Sequence, residues 1–204
     1  MQLIGMLDSP YVRRTFISAR LLGVPLEHRS LSVFGNFAEF HAINPLVKAP
    51  TLVFDDGEVM VDSSLILETL EELAAPASLL PADLLQRRRC RQITSLAVAM
   101  CDKAVQLYYE IGMRPETSRW DEWITRVTGQ LVDTATALEQ SLGAPASAWT
   151  CGPAISQADV STAVAWRFTN YVVPHVLHRE QYPRLGELSH RAEAEEAFKA
   201  ADFK

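Results

Sequence analysis

The sequence predicts an α/β domain followed by an all-helical domain, and three observations point to that fold class. Strand-type and helix-type hydrophobic patterns alternate over roughly the first 75 residues, whereas strand patterns stop after a proline-marked joint at Pro76–Pro81. The charge also changes at this joint, because residues 1–77 carry 5 basic and 10 acidic side chains against 14 and 15 in the remainder. We therefore expect a first domain over residues 1–77, a linker over residues 78–85 and a helical domain over residues 86–204.

The first domain is predicted to run β-α-β, then a β-hairpin, then a helix, which gives the order β-α-β-β-β-α. Gln2–Leu7 is a short apolar run that suits a strand, and Pro10–Leu22 repeats apolar residues at helical spacing, with Arg13, Arg14 and Arg20 on the polar side. Leu26–Val33 alternates apolar and polar residues and completes a β-α-β unit. In such a unit the two strands are parallel and the crossover is right-handed.

A hairpin and a helix close the first domain, and helices follow it. The turn Asp55–Gly57 lies between two short apolar runs, which is a strong hairpin signal. Ser63–Ser64 then opens a helix whose apolar residues form one stripe. Beyond the joint, apolar spacing predicts long helices through residues 93–107 and 124–142, and Ser156 with Asp159 predicts a capping box at the start of another helix.

The composition excludes several classes of protein. Over 204 residues, 48% apolar and 22% charged side chains are typical of a globular chain with a sizeable core. A net charge of −6 and a pI near 5.4 argue against nucleic acid as a partner. The longest wholly apolar run, Leu96–Cys101, is far shorter than the ~20 residues that cross a bilayer, so we expect no membrane span. The N-terminus has no basic stretch before Asp8, which argues against a signal peptide and for a cytoplasmic protein.

The cysteine and histidine spacings predict neither a disulfide framework nor a metal site. Cys90, Cys101 and Cys151 are an odd number at irregular spacing, so we interpret them as reduced thiols that fill apolar space near helices. The five histidines show no ligand spacing, and no metal is expected. Glycine-rich nucleotide loops and a Gly-x-Ser-x-Gly motif are also absent from the sequence.

Three short segments remain as candidates for chemistry. Ser9 precedes Pro10 at the predicted start of the first helix, where it either only caps the helix or, with the helix N-terminus, holds an anion. Lys48–Pro50 leads into a strand and contains an X-Pro bond, where the cis form of the peptide costs little free energy. A cis bond here would expose the Ala49 backbone for pairing. Asp62–Ser63 begins another helix, where it either is an ordinary cap or binds a ligand. In the second case the Asp62 carboxylate would bind an ammonium, and the Ser63 hydroxyl and the backbone amides would bind a carboxylate.

With these segments in this order, the chain resembles a cytosolic glutathione S-transferase and is most similar to bacterial serine-type members. Four motifs carry the resemblance over nearly the whole chain: Ser9–Arg13, Asn44–Leu52, Asp62–Ser63, and Ser156 with Asp159. The resemblance implies a thioredoxin-like first domain, an all-helical second domain and a homodimer. It also implies that glutathione binds along the first domain as a co-substrate.

The resemblance assigns roles to individual residues. Ser9 would provide the hydroxyl that activates the glutathione thiol, and Ala49, before a cis Pro50, would pair through its backbone with the cysteinyl unit. Lys48 would face the glycine carboxylate, while Asp62 and Ser63 would hold the γ-glutamyl end.

A small hydrophobic electrophile is expected as the second substrate, bound between the two domains. Tyr11, Tyr108, Tyr109 and Met113 are the candidates for its pocket, with ordinary helix packing as the other role open to each of them.

Departures from the family pattern narrow the activity. No tyrosine occupies the first nine positions and no cysteine occupies position 9, which disfavours the tyrosine-type and glutaredoxin-like arrangements. Asp8–Ser9 lacks the serine-rich motif of the maleylacetoacetate isomerase class. The favoured activity is therefore that of a glutathione S-transferase. Two alternatives stay open: a glutathione-dependent isomerase of maleylacetoacetate type, and a binding protein of the same fold without activity.

Overall fold

A computed structural model describes residues 1–143 and 149–203 of the chain. It divides into two compact units. The first contains Met1–Leu79 together with the C-terminal segment that begins at Ala194, and the second contains Leu80–Glu193.

The first unit is built on a four-stranded sheet. The strands are β1 (Gln2–Ile4), β2 (Glu27–Arg29), β3 (Thr51–Val53) and β4 (Val59–Val61), in the order β2-β1-β3-β4. β1 is parallel to β2 and antiparallel to β3, and β3 is antiparallel to β4. Neighbouring residues of a strand point to opposite faces, and Leu3 and Ile4 are both fully buried, so both faces of the sheet are covered.

Three helices of this unit pack around the sheet: α1 (Pro10–Leu22), α2 (Phe37–Ile43) and α3 (Ser63–Ala74). The parallel β1-α1-β2 unit and the β3-β4 hairpin confirm the predicted fold class. α2 was not predicted, because it buries only Phe40, and one buried residue leaves no periodic apolar stripe in the sequence. Phe40 packs with Ile4 and Leu31 on one face of the sheet.

Of the three arginines predicted on the polar side of α1, Arg20 is exposed, whereas the prediction is wrong for Arg13 and Arg14. Their side chains are 1% and 3% exposed, respectively. α1 packs against β1, α3 and the short C-terminal helix α8 (Glu196–Lys199), so it has almost no free face. Helical periodicity in the sequence does not reveal partners that approach a helix from several sides.

Arg13 also explains why the C-terminal segment belongs to the first unit. Its Nε donates to the Ala201 carbonyl at 2.9 Å and its Nη2 to the Phe198 carbonyl at 3.5 Å. Its guanidinium lies 5.6 Å from the ring centre of Phe198 and 5.4 Å from that of Phe203. The sequence assigned this segment to the helical domain, whereas the structure packs it with α1.

The long elements of the second unit are four helices: α4 (Leu84–Leu107), α5 (Asp121–Leu142), α6 (Gln157–Val172) and α7 (Pro183–Glu193). A π-helical turn, Tyr108–Met113, continues α4, and single 3₁₀ turns lie at Glu116–Ser118 and Arg179–Gln181. In the described ranges, 1–143 and 149–203, no helix is long and apolar enough to cross a membrane.

The predicted capping box at the start of α6 is confirmed. The Ser156 backbone N–H and hydroxyl donate to Asp159 Oδ2 at 2.9 and 2.6 Å. The Thr150 backbone N–H and hydroxyl donate to Oδ1 of the same carboxylate at 2.9 and 2.5 Å. Four donors thus satisfy a fully buried carboxylate, which fixes the turn before α6 to the helix itself.

Candidate functional site

Ser9 lies at the point where the chain leaves β1 and enters α1. Its backbone is extended (φ −68°, ψ 124°), and Pro10 follows at the first helical position. The Ser9 hydroxyl accepts from the Val12 N–H at 3.5 Å, which is the outer limit for such a bond. Within the part of the chain that the structure describes, this hydroxyl donates to no acceptor. A half-buried O–H group with a free hydrogen therefore lies at the N-terminus of a 13-residue helix.

The loop before β3 brings Ala49 close to the end of β1. The Ala49–Pro50 peptide bond is cis, as the sequence suggested. Gly5 makes this approach possible, because a Cβ added there would lie 3.1 Å from Ala49 Cβ and 2.6 Å from Val12 Cγ2. Gly5 also has a φ of +137°, which side chains rarely tolerate. β1, α1 and the Ala49 loop therefore meet at one glycine.

Hydrogen bonds hold this loop against the start of β3. Asn44 Nδ2 donates to the Thr51 hydroxyl at 2.8 Å, and that hydroxyl donates to the Lys48 carbonyl at 2.7 Å. Asn44 Oδ1 accepts from the Leu46 N–H at 3.0 Å, and Val47 adopts a left-handed φ of 47°. The backbone on both sides of Ala49 is thus fixed by Asn44 and Thr51, which belong to the motif Asn44–Leu52 but to which the sequence assigned no role.

Asp62 and Lys48 lie near each other at the start of α3. Asp62 has a φ of 76°, and its Oδ1 accepts from the Ser64 N–H at 2.9 Å as an N-cap. Its Oδ2 is 3.8 Å from Lys48 Nζ. Both side chains are about half exposed, at 49% and 53%, so this ion pair contributes little to stability and both groups stay accessible.

Ser63 is buried, in contrast to these two neighbours, and Arg14 lies against it. Arg14 Nη1 donates to the Ser63 hydroxyl at 3.3 Å and to the Ser64 hydroxyl at 3.5 Å. The Ser63 oxygen is therefore an acceptor for a cation, which leaves the hydroxyl hydrogen to point elsewhere. Sequence reasoning missed Arg14, because the contact joins positions 49 residues apart.

The candidate electrophile residues fall in two groups. Tyr11 lies on α1 of the first unit, half-buried. Tyr108, Tyr109 and Met113 lie together in the π-helical turn of the second unit. The two tyrosine rings are edge to face at 6.0 Å, and burial, followed by the neighbouring Tyr108, raises the pKa of Tyr109. Met113 and Tyr109 are both close to half exposed.

No cluster of three or more His, Cys, Asp or Glu side chains that would hold a metal ion occurs in residues 1–143 or 149–203. The features that remain at the site are a hydroxyl at a helix N-terminus, a cis-proline loop and a capped second helix start. Together with the sheet order, they define the thioredoxin-like class of domain.

Comparison with known proteins identifies the family within that class. The family described as "Glutathione S-transferase, N-terminal domain" matches residues 3–78. The maleylacetoacetate isomerase of Pseudomonas aeruginosa is 30% identical over an alignment of 174 residues, which covers 78% of this chain and 73% of that protein. The chain therefore belongs to the glutathione S-transferase family.

Two further relatives agree with this assignment. The uncharacterized GST-like protein YibF of Escherichia coli is 33% identical over 102 residues, which cover 50% of each chain. A crystal structure of a glutathione S-transferase from Methylobacterium radiotolerans, in complex with glutathione sulfonate, superposes with a TM-score of 0.90 at 27% identity. That superposition covers 98% of this chain and 93% of the other.

Proposed function

We propose that this protein is a glutathione S-transferase of the serine type, which binds glutathione and activates its thiol for attack on small hydrophobic electrophiles. The observation that carries the proposal is the Ser9 hydroxyl, which lies at the N-terminus of α1 with its hydrogen uncommitted among the described residues. The glutathione sulfonate complex of the Methylobacterium radiotolerans relative supports the choice of ligand.

The size of the required effect matches what Ser9 can supply. A free thiol has a pKa of ~8.5, and lowering it by ~2 units takes ~2.7 kcal/mol at ~1.36 kcal/mol per unit. A hydrogen bond donated to a charged group is worth ~1.5–3 kcal/mol. A helix N-terminus adds ~0.3–1 kcal/mol. Ser9 would thus donate to the thiolate while α1 stabilises its charge, and the thiolate would attack the electrophile without a general base or a metal.

The remaining contacts to glutathione are proposed from the loop and the second helix start. Ala49, before the cis Pro50, offers its backbone to the cysteinyl unit. Lys48 is exposed enough to meet the glycine carboxylate, and Asp62 the γ-glutamyl ammonium. Ser63 would donate its hydroxyl hydrogen to the γ-glutamyl carboxylate, because Arg14 occupies its oxygen.

These donors act against the charge of their own domain. Residues 1–77 carry a net charge of −5, from 5 basic and 10 acidic side chains. An anionic peptide is therefore not attracted by the average field of this part of the chain. Its binding must come from local groups, of which Lys48 is the one exposed cation in the proposed set.

Ser9→Ala tests the proposal. We expect kcat/KM with an aryl-halide acceptor to fall at least ~10-fold, which corresponds to ~1.4 kcal/mol, and the pKa of bound glutathione to rise. Ser9→Thr keeps a hydroxyl and should retain most of the activity. Circular dichroism of both variants separates this effect from the loss of the helix cap, which is worth ~1 kcal/mol of stability. Unchanged turnover and unchanged thiol pKa in Ser9→Ala would remove Ser9 from the mechanism.

The electrophile site is proposed at Tyr11, Tyr108, Tyr109 and Met113. Alanine at Tyr109 or Met113 should raise the KM for a hydrophobic acceptor and leave glutathione affinity unchanged. Tyr171→Ala, on the exposed side of α6, is a matched control that should change neither value. An unchanged acceptor KM in both the Tyr109 and the Met113 variant would assign these two side chains to packing.

A glutathione-dependent isomerase is the second candidate, and a specific observation favours it. The chain is 30% identical to the maleylacetoacetate isomerase of Pseudomonas aeruginosa over 174 residues. A cis-enedione acid distinguishes the two reactions, because an isomerase converts it without consuming glutathione, whereas a transferase consumes one glutathione per product.

A binding protein without activity is the third candidate. Calorimetry with glutathione, combined with the ultraviolet absorbance of bound thiolate near neutral pH, tests it. Tight binding without thiolate would favour this candidate, and no binding would contradict both enzymatic ones. We also propose that the protein is a cytoplasmic homodimer. Size-exclusion chromatography with light scattering tests the oligomeric state.

A further inference from the structure

Arg14 is a buried cation at the start of α3. Its side chain belongs to α1 and is 3% exposed, and Ser63, the first residue of α3, is 5% exposed. α1 and α3 pack against each other within the first unit. The guanidinium of Arg14 therefore reaches from one helix of this unit to the residues on which another helix begins.

The contact with Arg14 determines how the Ser63 hydroxyl can act. Nη1 of Arg14 donates to Ser63 Oγ at 3.3 Å and to Ser64 Oγ at 3.5 Å. A guanidinium has donors only, so the serine oxygen is the acceptor in both bonds. A serine hydroxyl has a single hydrogen, and a cation at its oxygen directs that hydrogen away from the cation. Ser63 is thereby oriented as a donor, which suits an anionic ligand.

Asp62, the residue before Ser63, has the opposite preference. Its Oδ1 accepts from the Ser64 N–H at 2.9 Å and so satisfies one of the N–H groups that a helix leaves open in its first turn. Its Oδ2 lies 3.8 Å from Lys48 Nζ and is accessible to a cation. The start of α3 thus has an acceptor for a cation directly beside a donor for an anion, which matches a ligand whose ammonium and carboxylate groups are neighbours.

We propose that Arg14 is a positioning residue that makes the start of α3 selective for a carboxylate. It acts through Ser63, whose hydroxyl it directs towards the γ-glutamyl carboxylate of glutathione. The inference rests on the proposed function, because it takes glutathione as the ligand. It concerns the recognition of one end of that ligand and is independent of how the thiol is activated.

The charge of Arg14 adds to the effect of the hydroxyl. A carboxylate that accepts from Ser63 is separated from the guanidinium by that hydroxyl alone. Because Arg14 is buried, salt screens its charge less than the charge of exposed Lys48. The N-terminus of the 12-residue helix α3 favours an anion at the same place. A carboxylate is therefore attracted here although residues 1–77 carry a net charge of −5.

The test compares three peptides that differ only at the γ-glutamyl end, each with its thiol methylated. S-Methylglutathione has both the ammonium and the carboxylate. The 4-aminobutyryl analogue lacks the carboxylate, and the glutaryl analogue lacks the ammonium. Isothermal titration calorimetry with the full chain gives the Kd of each peptide. In Arg14→Met we expect the Kd of the two peptides with a carboxylate to rise at least ~10-fold, which corresponds to ~1.4 kcal/mol, and the Kd of the 4-aminobutyryl analogue to stay within about twofold.

The comparison of ligands separates recognition from packing. A variant that only loosens the contact between α1 and α3 weakens all three peptides alike, whereas loss of the carboxylate contact weakens two of them. Arg14→Lys keeps a charged donor and should retain most of the preference for a carboxylate. Asp62→Asn is the reciprocal control, because it should weaken the two peptides with an ammonium and leave the glutaryl analogue unchanged.

Further variants keep the test decisive if Arg14→Met fails to fold, as judged by circular dichroism. Arg14→Gln also removes the charge, and Ser63→Ala removes the oxygen through which Arg14 acts, so both should show the same loss of preference. An equal rise in all three Kd values, or no change in any of them, would overturn the inference and leave the proposed transferase function standing. Failure of the unaltered protein to bind S-methylglutathione would overturn both.

Discussion

Replacing Arg13 by methionine tests the connection between α1 and the C-terminal segment. Methionine keeps the length and most of the volume of the buried side chain but removes its charge and its donors. The Arg13 Nε bond to the Ala201 carbonyl is 2.9 Å long, and the two rings of Phe198 and Phe203 lie within 5.6 Å of the guanidinium. All of these contacts are lost in the variant.

The magnitude follows from these contacts. A hydrogen bond from a charged donor contributes ~1.5–3 kcal/mol, and a desolvated cation–π contact contributes up to ~2 kcal/mol. The gain from no longer burying a charge offsets part of this loss. We therefore expect Arg13→Met to lower the free energy of unfolding by ~3 kcal/mol, which corresponds to ~6–12 °C in Tm at ~2–4 °C per kcal/mol.

Urea unfolding followed by circular dichroism measures the effect, with Arg20→Met as the control. Arg20 is exposed on the same helix, and its guanidinium lies 5.8 Å from the Phe16 ring, so its loss should cost less than ~1 kcal/mol. In a Phe198→Ala background, the cost of Arg13→Met should shrink by at least ~0.5 kcal/mol, because the two side chains are in contact. A cost of Arg13→Met no larger than that of Arg20→Met, or one that is independent of Phe198, would refute the reasoning.

Three further predictions concern local features. Gly5→Ala places a Cβ 2.6 Å from Val12 Cγ2 at a φ of +137°. Because a strained backbone conformation of this kind costs ~1–3 kcal/mol, we expect the free energy of unfolding in urea to fall by that amount. An unchanged free energy of unfolding would contradict the close approach. Asp159→Asn replaces one acceptor oxygen by a donor and strands two of four buried donors, which should cost ~2–4 kcal/mol by the same measurement. The Cys151 side chain is the largest cause that lowers the pKa of Cys90 from 9.0 to about 7, so the thiolate absorbance of Cys90 should appear as the pH rises through about 7. In Cys151→Ala the largest cause of that shift is lost while burial remains, so the midpoint should move to higher pH; an unmoved midpoint would contradict the assignment.

Much of the secondary structure could be predicted because its signals are local. α1 begins at the Ser9–Pro10 pair and ends at Gly23, which has a φ of 71° and caps the helix with its N–H. The capping box of α6 needs only Ser156 and Asp159, three positions apart. In each case the residues that specify the element are neighbours in sequence, so their pattern is visible before folding.

The candidate site was predictable in part for the same reason. The segments at Ser9, Lys48–Pro50 and Asp62–Ser63 were selected by their positions at element ends, and the structure bears out the helix starts and the cis bond. The hydrogen bonds that hold these segments in place were not predictable. Asn44 belongs to the motif Asn44–Leu52, but its side-chain bonds to Thr51 and to the Leu46 N–H leave no periodic signal in the sequence.

The sequence by itself thus determined the order of elements, the two-part organisation and the short segments where we propose that glutathione binds. Only the tertiary structure decided which distant residues meet. Arg13 contacts a carbonyl 188 positions away, and Arg14 contacts Ser63 49 positions away. The physical reason is that hydrophobic periodicity encodes which face of an element is buried, but not which partner covers that face.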